Sequence, residues 1–375
     1  MYPKSYSVTV LTREFNRKDI EGEEPLGVEF LYFDLPFFSK KDHYWKFIKI
    51  YYLFWQLFAV FYVLYVQVGR KLRYDIIHHV TYNNIDVCGF LWCLKGSGFI
   101  WGPVGGGQTP PKSLKMLYYR SWRKQKLRSF LKYLASYNPI TLLAIKKSRF
   151  VMYANNETKD RFSHITHKSF NFLETGYTVQ PDVNGKLFPL TPFRKLLWVG
   201  RLEERKGFIL LMDVIDRLVS IGVDVHVDVV GTGEDLDLYK IWVRERGLSD
   251  NISLKGAVAF NEVHQCYLAA SLFLFTSAQD TSGNVMLEAL GHGVPVVALN
   301  HQGAAEIIDD KCGVLVNLAD YEEVVNAYSD AILSIFKDPL RYESLSSGAV
   351  RRIKSLYTWE SRQARFESFL AEAGL

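Results

Sequence analysis

The chain has 375 residues, of which 48% are hydrophobic and 15% aromatic, and carries a formal net charge of +5. That length holds two α/β domains with sizeable cores, and the composition is that of an ordinary globular protein, which excludes a disordered or fibrous chain. Cys88, Cys93, Cys266 and Cys312 are scattered, without zinc-knuckle spacing, and read as reduced residues of a cytoplasmic protein. The opening residues do not read as a signal peptide.

Strand patterns come first at Ser7–Leu11 and Val28–Tyr32. From Phe47 to Val68 the chain is almost wholly apolar and rich in Tyr, Phe and Trp, with Lys40, Lys41 and Lys46 before it and Arg70, Lys71 and Arg73 after it. The length is close to a bilayer span, but Lys49 and Gln56 interrupt it and a strand pattern, Asp75–His78, follows at once. The reading is a buried helix of the first domain whose aromatic side rests on a membrane surface. His78 and His79 end the next strand beside Thr81, Tyr82, Asn83 and Asn84. Polar residues at a strand's C-terminal end favour a site where either histidine could contact substrate or move a proton; a buried structural histidine is the alternative.

Gly98–Trp101 is followed by Gly102-Pro103-Val104-Gly105-Gly106-Gly107-Gln108. Gly105 and Gly106 belong to a run that can form an anion-binding nest or a lid, or simply a flexible loop. From Val87 to Asn156 there is no Asp or Glu, while Lys112, Arg120, Arg123, Lys124, Arg128 and Lys132 are among its cations. A field of one sign attracts anionic lipid, phosphorylated substrate or nucleic acid. Tyr118, Tyr119, Trp122 and Tyr133 interleave with these cations, but no nucleic-acid module is recognisable and no nucleic-acid partner is expected. Phe150–Tyr153 is the last strand pattern of this half.

A Pro- and Gly-containing stretch, Thr178–Phe193, marks the domain boundary. The expected division is 1–185, 186–355 and a C-terminal helix in 356–375 that packs back toward the first domain. The second half alternates strands with helices, starting at Lys195–Val199, Asp224–Val230 and Ile252–Leu254. Leu272–Phe275, Pro295–Ala298 and Gly313–Val316 follow, and helices are expected at Gly207–Ile221 and Glu234–Arg246. Such alternation argues for parallel sheets made of βαβ units. Gly200-Arg201-Leu202 ends the first of these strands, and Lys206-Gly207 opens the helix after it, so both cations can point at the sheet's C-terminal rim; a solvated turn pairing with Glu203 and Glu204 is the alternative. Gly231 and Gly233 end the second strand, where they let a ring or phosphate approach or merely allow tight packing. Asp280 and Glu288 bracket a strand-to-helix turn through Gly283, Asn284 and Val285, whose amides open a helix. Further on, Gly303 could face the ligand, and Glu306 reads as a first-turn helix carboxylate.

Together, Gly200-Arg201-Leu202, Lys206-Gly207 and the Asp280/Glu288 pair resemble the retaining glycosyltransferases of family 4 (glycosyltransferases group 1). Ile77-His78-His79-Val80-Thr81 and Trp101–Gly107 are similar to a subset of its bacterial polysaccharide enzymes. The resemblance implies an α/β protein of the glycosyltransferase-B fold, with two Rossmann-like domains facing a cleft. It implies that Arg201 and Lys206 neutralise the leaving diphosphate and Glu288 holds the nucleotide ribose. Asp280 would hold the transferred sugar, and the Gly283–Val285 backbone would touch sugar and phosphate. The nucleoside-diphosphate sugar is then a substrate, with no cofactor and no metal expected. The acceptor would be a lipid-linked or polysaccharide hydroxyl, and the protein would sit peripherally on the inner face of the cell membrane. Three departures stand out. Asp280 replaces the more usual Glu, and Gly102-Pro103 stands where many members carry a histidine, leaving His78 or His79 as candidate bases. The pattern also lacks the first βα unit, so an inactive remnant is one alternative. Nucleotide-sugar epimerisation or phosphorolysis on the same fold is another.

Overall fold

The computed structural model describes residues 2, 5–35, 48–80, 84–179 and 194–375. The first half runs β1 (Val8–Thr12), the short α1 (Arg17–Ile20), β2 (Val28–Tyr32), α2 (Ile48–Arg70), β3 (Ile76–His79) and β4 (Gly98–Val104). It continues through α3 (Trp122–Ala135), α4 (Pro139–Lys147), β5 (Ser148–Tyr153), α5 (Asn156–Asp160) and β6 (Ser169–Asn171). β1 and β2 pair in parallel, and β3-β4-β5-β6 form a separate parallel sheet. β4 is buried along its whole length, as a strand covered on both faces must be. It runs three residues past the expected end at Trp101, through Pro103, and its register with β5 shifts there because proline has no N–H to give the ladder.

The second half runs β7 (Arg194–Val199), α6 (Phe208–Ser220), β8 (Val225–Val230), α7 (Leu236–Glu245), β9 (Ile252–Gly256) and α8 (Phe260–Ala269). Then come β10 (Leu272–Phe275), α9 (Asn284–Gly291), β11 (Val296–Leu299), α10 (Gln302–Ile307), β12 (Gly313–Val316), α11 (Tyr321–Phe336), α12 (Pro339–Arg352) and α13 (Trp359–Ala373). Its six strands are all parallel, in the order β12-β11-β10-β7-β8-β9. Strand order reverses between β7 and β10, and the crevice outside the C-terminal ends of those two strands is where open α/β sheets bind ligands. Helices cover the sheet by apolar stripes. In α6, Phe208, Leu211, Met212, Ile215 and Leu218 are fully buried and recur at helical spacing.

Two segments cross between the halves. Thr358 caps α13 by accepting from the Ser361 amide at 3.1 Å. The helix then packs Phe366, Phe369 and Leu370 against Ile100, Phe150 and Met152 of β4 and β5. In the other direction, the turn Lys112–Leu117 leaves the first half and buries Leu114, Leu117 and Tyr118 in the second domain's core, beside α6 and α11. Arg120 follows it and forms an ion pair with the fully buried Asp235, and the Arg120 amide donates to Glu204 at 2.6 Å. The expected boundary falls mostly on 180–193, outside the described residues.

Candidate active site

The site grows from two loops at the β7/β10 reversal. After β7 the chain turns at Gly200, and Gly207 starts α6 with φ +70. A Cβ on Gly207 would stand 2.1 Å from the Thr276 carbonyl oxygen, so only glycine lets the α6 N-terminus sit against the end of β10. Gly231 does the same for β8: at φ +136, its Cβ would lie 1.9 Å from the Gly200 oxygen. Gly231 and Gly233 thus bring the loops after β7 and β8 together, which is the packing role left open by the sequence.

This closeness places Lys206 against the turn after β10. Its ammonium forms an ion pair with Asp280, and both side chains are largely buried. The other Asp280 oxygen accepts from the Thr281 amide at 3.0 Å, so Asp280 holds Lys206 in place with both of its oxygens engaged. Arg201 is disposed differently. Its side chain is 71% exposed, and its nearest carboxylate, Glu203 at 3.9 Å, is already held by Arg205 at 2.6 Å. One cation is therefore fixed and sheltered and the other is free to reach, an arrangement that can grip a diphosphate at two points.

Gly283, at φ +66, opens α9, leaving Asn284 exposed and Val285 half-buried in the helix's first turn. One turn on, Glu288 is half-buried and accepts from the Tyr267 hydroxyl at 2.8 Å. Burial raises the Glu288 carboxyl above its ordinary value, and the Tyr267 bond opposes that shift. Glu306 accepts from the Asn156 amide at 3.0 Å and from Asn171 at 3.2 Å, so it serves α5 and β6.

The glycine run of the first half reaches the same turn. Gly105 accepts from the Ile85 amide at 3.1 Å, and Gly106 packs against Asn84. They deliver Gln108, whose side chain donates to the Thr281 hydroxyl at 2.5 Å and whose carbonyl accepts from Gln279 and Lys132 at 3.0 Å each. Asn155 donates to the Thr281 carbonyl at 2.9 Å. Gln302 completes the seam: it accepts from the Asp280 amide at 2.8 Å, donates to the Thr109 carbonyl at 3.1 Å, and has φ +51. A left-handed non-glycine backbone costs ~1–3 kcal/mol and persists where surrounding bonds demand it. The bonds that join the halves through Gln108, Asn155, Thr281 and Gln302 span more than a hundred residues, so spacing does not announce them, although Thr281 adjoins Asp280 and Gln302 adjoins Gly303. Beside this seam opens a cavity of about 480 Å³ lined by Asn84, Asp86, Gln125, Arg128, Lys132 and Gln279.

The two histidines are placed elsewhere. His78 is half-buried: its Nε2 lies 2.8 Å from the Gly102 carbonyl, its ring stacks on Phe366, and loss of solvent around the ring lowers it to about 4. Its neighbour His79 lies 3.2 Å from the Tyr52 hydroxyl under α2 and packs against Gly89. Both rings are committed within the first domain, and neither is seen against Lys206 or Asp280.

Two α/β domains, each built on parallel strands, define the class, the glycosyltransferase-B fold. Over 98% of the chain it superposes on 89% of a sucrose-phosphate synthase from Thermosynechococcus elongatus, with a TM-score of 0.64 at 17% identity, a likeness of fold. Residues 193–338 match the family described as glycosyl transferases group 1. The chain is 29% identical over 164 residues to a lipopolysaccharide core biosynthesis glycosyltransferase of Rhizobium meliloti, covering 43% of this chain and 46% of that one. Over 244 residues it is 23% identical to a GDP-mannose-dependent monoacylated alpha-(1-6)-phosphatidylinositol monomannoside mannosyltransferase of Corynebacterium glutamicum, covering 58% of this chain and 61% of the other. The chain thus spans less than two thirds of either relative.

Proposed function

We propose that this protein transfers a sugar from a nucleoside-diphosphate sugar to a hydroxyl of a lipid-linked or polysaccharide acceptor, with retention at the anomeric carbon and without a metal. The observation that carries this reading is the Lys206–Asp280 ion pair at the β7/β10 reversal, with the exposed Arg201 on the loop after β7. In this reading the donor lies on the second domain, its ribose diol on Glu288 and its diphosphate near the α9 amides and the two cations. The acceptor hydroxyl bonds to the anomeric carbon on the face the diphosphate leaves, and the departing phosphate oxygen takes the hydroxyl proton. Arg201 and Lys206 stabilise the charge that builds on that diphosphate. In this reading the acceptor enters the cavity lined by Arg128, Lys132 and Gln279, the residue before Asp280. The test is a panel of nucleoside-diphosphate sugars with bacterial membranes as acceptor source, read by nucleotide release and product analysis. Release that depends on acceptor supports transfer; an epimerised sugar from donor alone, or no release with any donor, refutes it.

A pH dependence follows. Glu288 binds a diol as the carboxylate, and its folded-state pKa is raised, so the working form is lost as pH falls through that raised value. The kcat/KM of turnover is expected to fall at a higher pH than an ordinary carboxylate would set. Glu288→Gln is expected to abolish that acid limb and to raise the donor KM; an unchanged pH profile in Glu288→Gln would exclude the role.

A further inference from the structure

α2 is built inside out. Its outward residues from Ile50 to Val68 include Phe54, Phe58, Phe61 and Tyr65 with Leu53, Leu57 and Leu64, and none is charged. Phe61 is 61% exposed, Tyr65 76% and Val68 77%, whereas the polar Gln56 is 2% exposed and faces the domain. A helix on the surface of a soluble domain presents the opposite pattern, and an apolar face this continuous marks a contact surface.

The inward side of α2 is fully engaged. Tyr51, Tyr52, Trp55 and Ala59 pack with Leu35, and Trp55 donates to the Phe33 carbonyl at 2.8 Å. A helix held along one side by its own domain cannot also pass through a bilayer, so any lipid contact must be lateral. The surroundings select the occupant. α2 touches the turn Leu91–Cys93, and residues of that turn pack against Ala144 and Ile145 of α4, which exposes Ile140 and Leu143. α3, which leads into α4, exposes Phe130, Leu131 and Leu134 together with Arg123, Lys124 and Arg128. Lys71 and Arg73 follow α2, and no acid occurs between Val87 and Asn156. Aromatics ringed by cations suit an anionic lipid headgroup layer; two copies of this face would set like charges against each other.

We propose that α2 is a membrane seat: it lies flat in the headgroup region of an anionic bilayer, with its outward aromatic side immersed and α3 and α4 resting beside it. The seat goes beyond the transfer reaction and can be measured without turnover. The full chain is mixed with vesicles of phosphatidylcholine alone or with 30% phosphatidylglycerol, a composition in the anionic range that draws polybasic surfaces. Binding is followed by flotation and by the emission of Phe58→Trp against the same protein without lipid. Binding to the anionic vesicles, a blue shift of the added tryptophan, and weaker binding at high salt are expected. The triple variant Phe54→Ser/Phe58→Ser/Phe61→Ser is expected to bind about tenfold or more weakly, since affinity scales with immersed apolar area. Arg123→Glu/Lys124→Glu is expected to weaken binding to the anionic vesicles only. Unshifted emission on adding vesicles, or a triple variant that binds like the parent, overturns the proposal. So does a parent that ignores vesicles but dimerises through α2, as judged by light scattering of parent and triple variant.

Discussion

Lys206→Ala is expected to lower turnover by about 10²- to 10³-fold while the protein stays folded, the loss typical of removing one preorganised charge-stabilising group. Two effects act in the same direction. The ammonium is lost from the rim where, in the proposed reaction, the diphosphate departs, and Asp280 is left with only the Thr281 amide, a partly unbalanced negative charge facing the proposed anionic donor. Both side chains are sheltered, so solvent does little to screen either effect. Arg201→Ala is expected to cost less, because its guanidinium lies in water and reaches the donor only by ordering itself. Lys206→Arg should not restore activity, since a planar fork does not replace a compact ammonium beside Asp280. Initial rates of nucleotide release at saturating donor, with melting curves as the control, decide the matter. A Lys206→Ala enzyme within threefold of the parent rate would remove the basis of the proposed chemistry.

Phe366→Ala is expected to destabilise the first domain by about 3–5 kcal/mol, the usual cost of deleting a large buried aromatic. Phe366 is fully buried and meets Tyr2 at 5.1 Å, His78 at 5.5 Å and Phe172 at 6.2 Å between ring centroids. The loss falls on the first domain although the residue belongs to the last helix of the chain, so denaturant unfolding should develop an early phase that the parent lacks. Tryptophan fluorescence would follow it, with Trp101 of β4 reporting for the first domain and Trp198 of β7 for the second. A single transition at the parent midpoint would show that α13 adds little to the first domain.

The sequence was most legible where chemistry and packing use the same residues. Gly200, Arg201, Lys206, Asp280 and Glu288 were read from spacing, and the structure brings Lys206 and Asp280 into contact across 74 residues. The strand patterns all form strands, and those of β4, β10 and β11 are the clearest, because fully buried parallel strands are continuous apolar runs that resist other assignment. Ser169–Asn171 went unread because three half-buried residues carry no period. His78 and His79 looked like site residues because polar neighbours gather at that strand's end. A strand sends successive side chains to opposite faces, and those faces are covered by α13 on one side and α2 on the other. Arg120 read as one more surface cation, whereas it is bonded to Asp235; nothing local in a sequence announces a partner 115 residues on.

The turn carrying Leu114, Leu117 and Tyr118 limits how the molecule can gape. If the halves separated as rigid bodies, those three side chains would be drawn from the second core into water, at roughly 5–9 kcal/mol on area grounds alone, an upper estimate. Breaking Arg120 from Asp235 would add to that. In the proposed reaction, donor arrival is expected to proceed by a pivot that leaves this tether seated, with the Gln108 and Gln302 bonds yielding first. Small-angle scattering with and without a nucleoside diphosphate is expected to show nearly the same radius of gyration; a marked contraction on binding would mean the tether lets go.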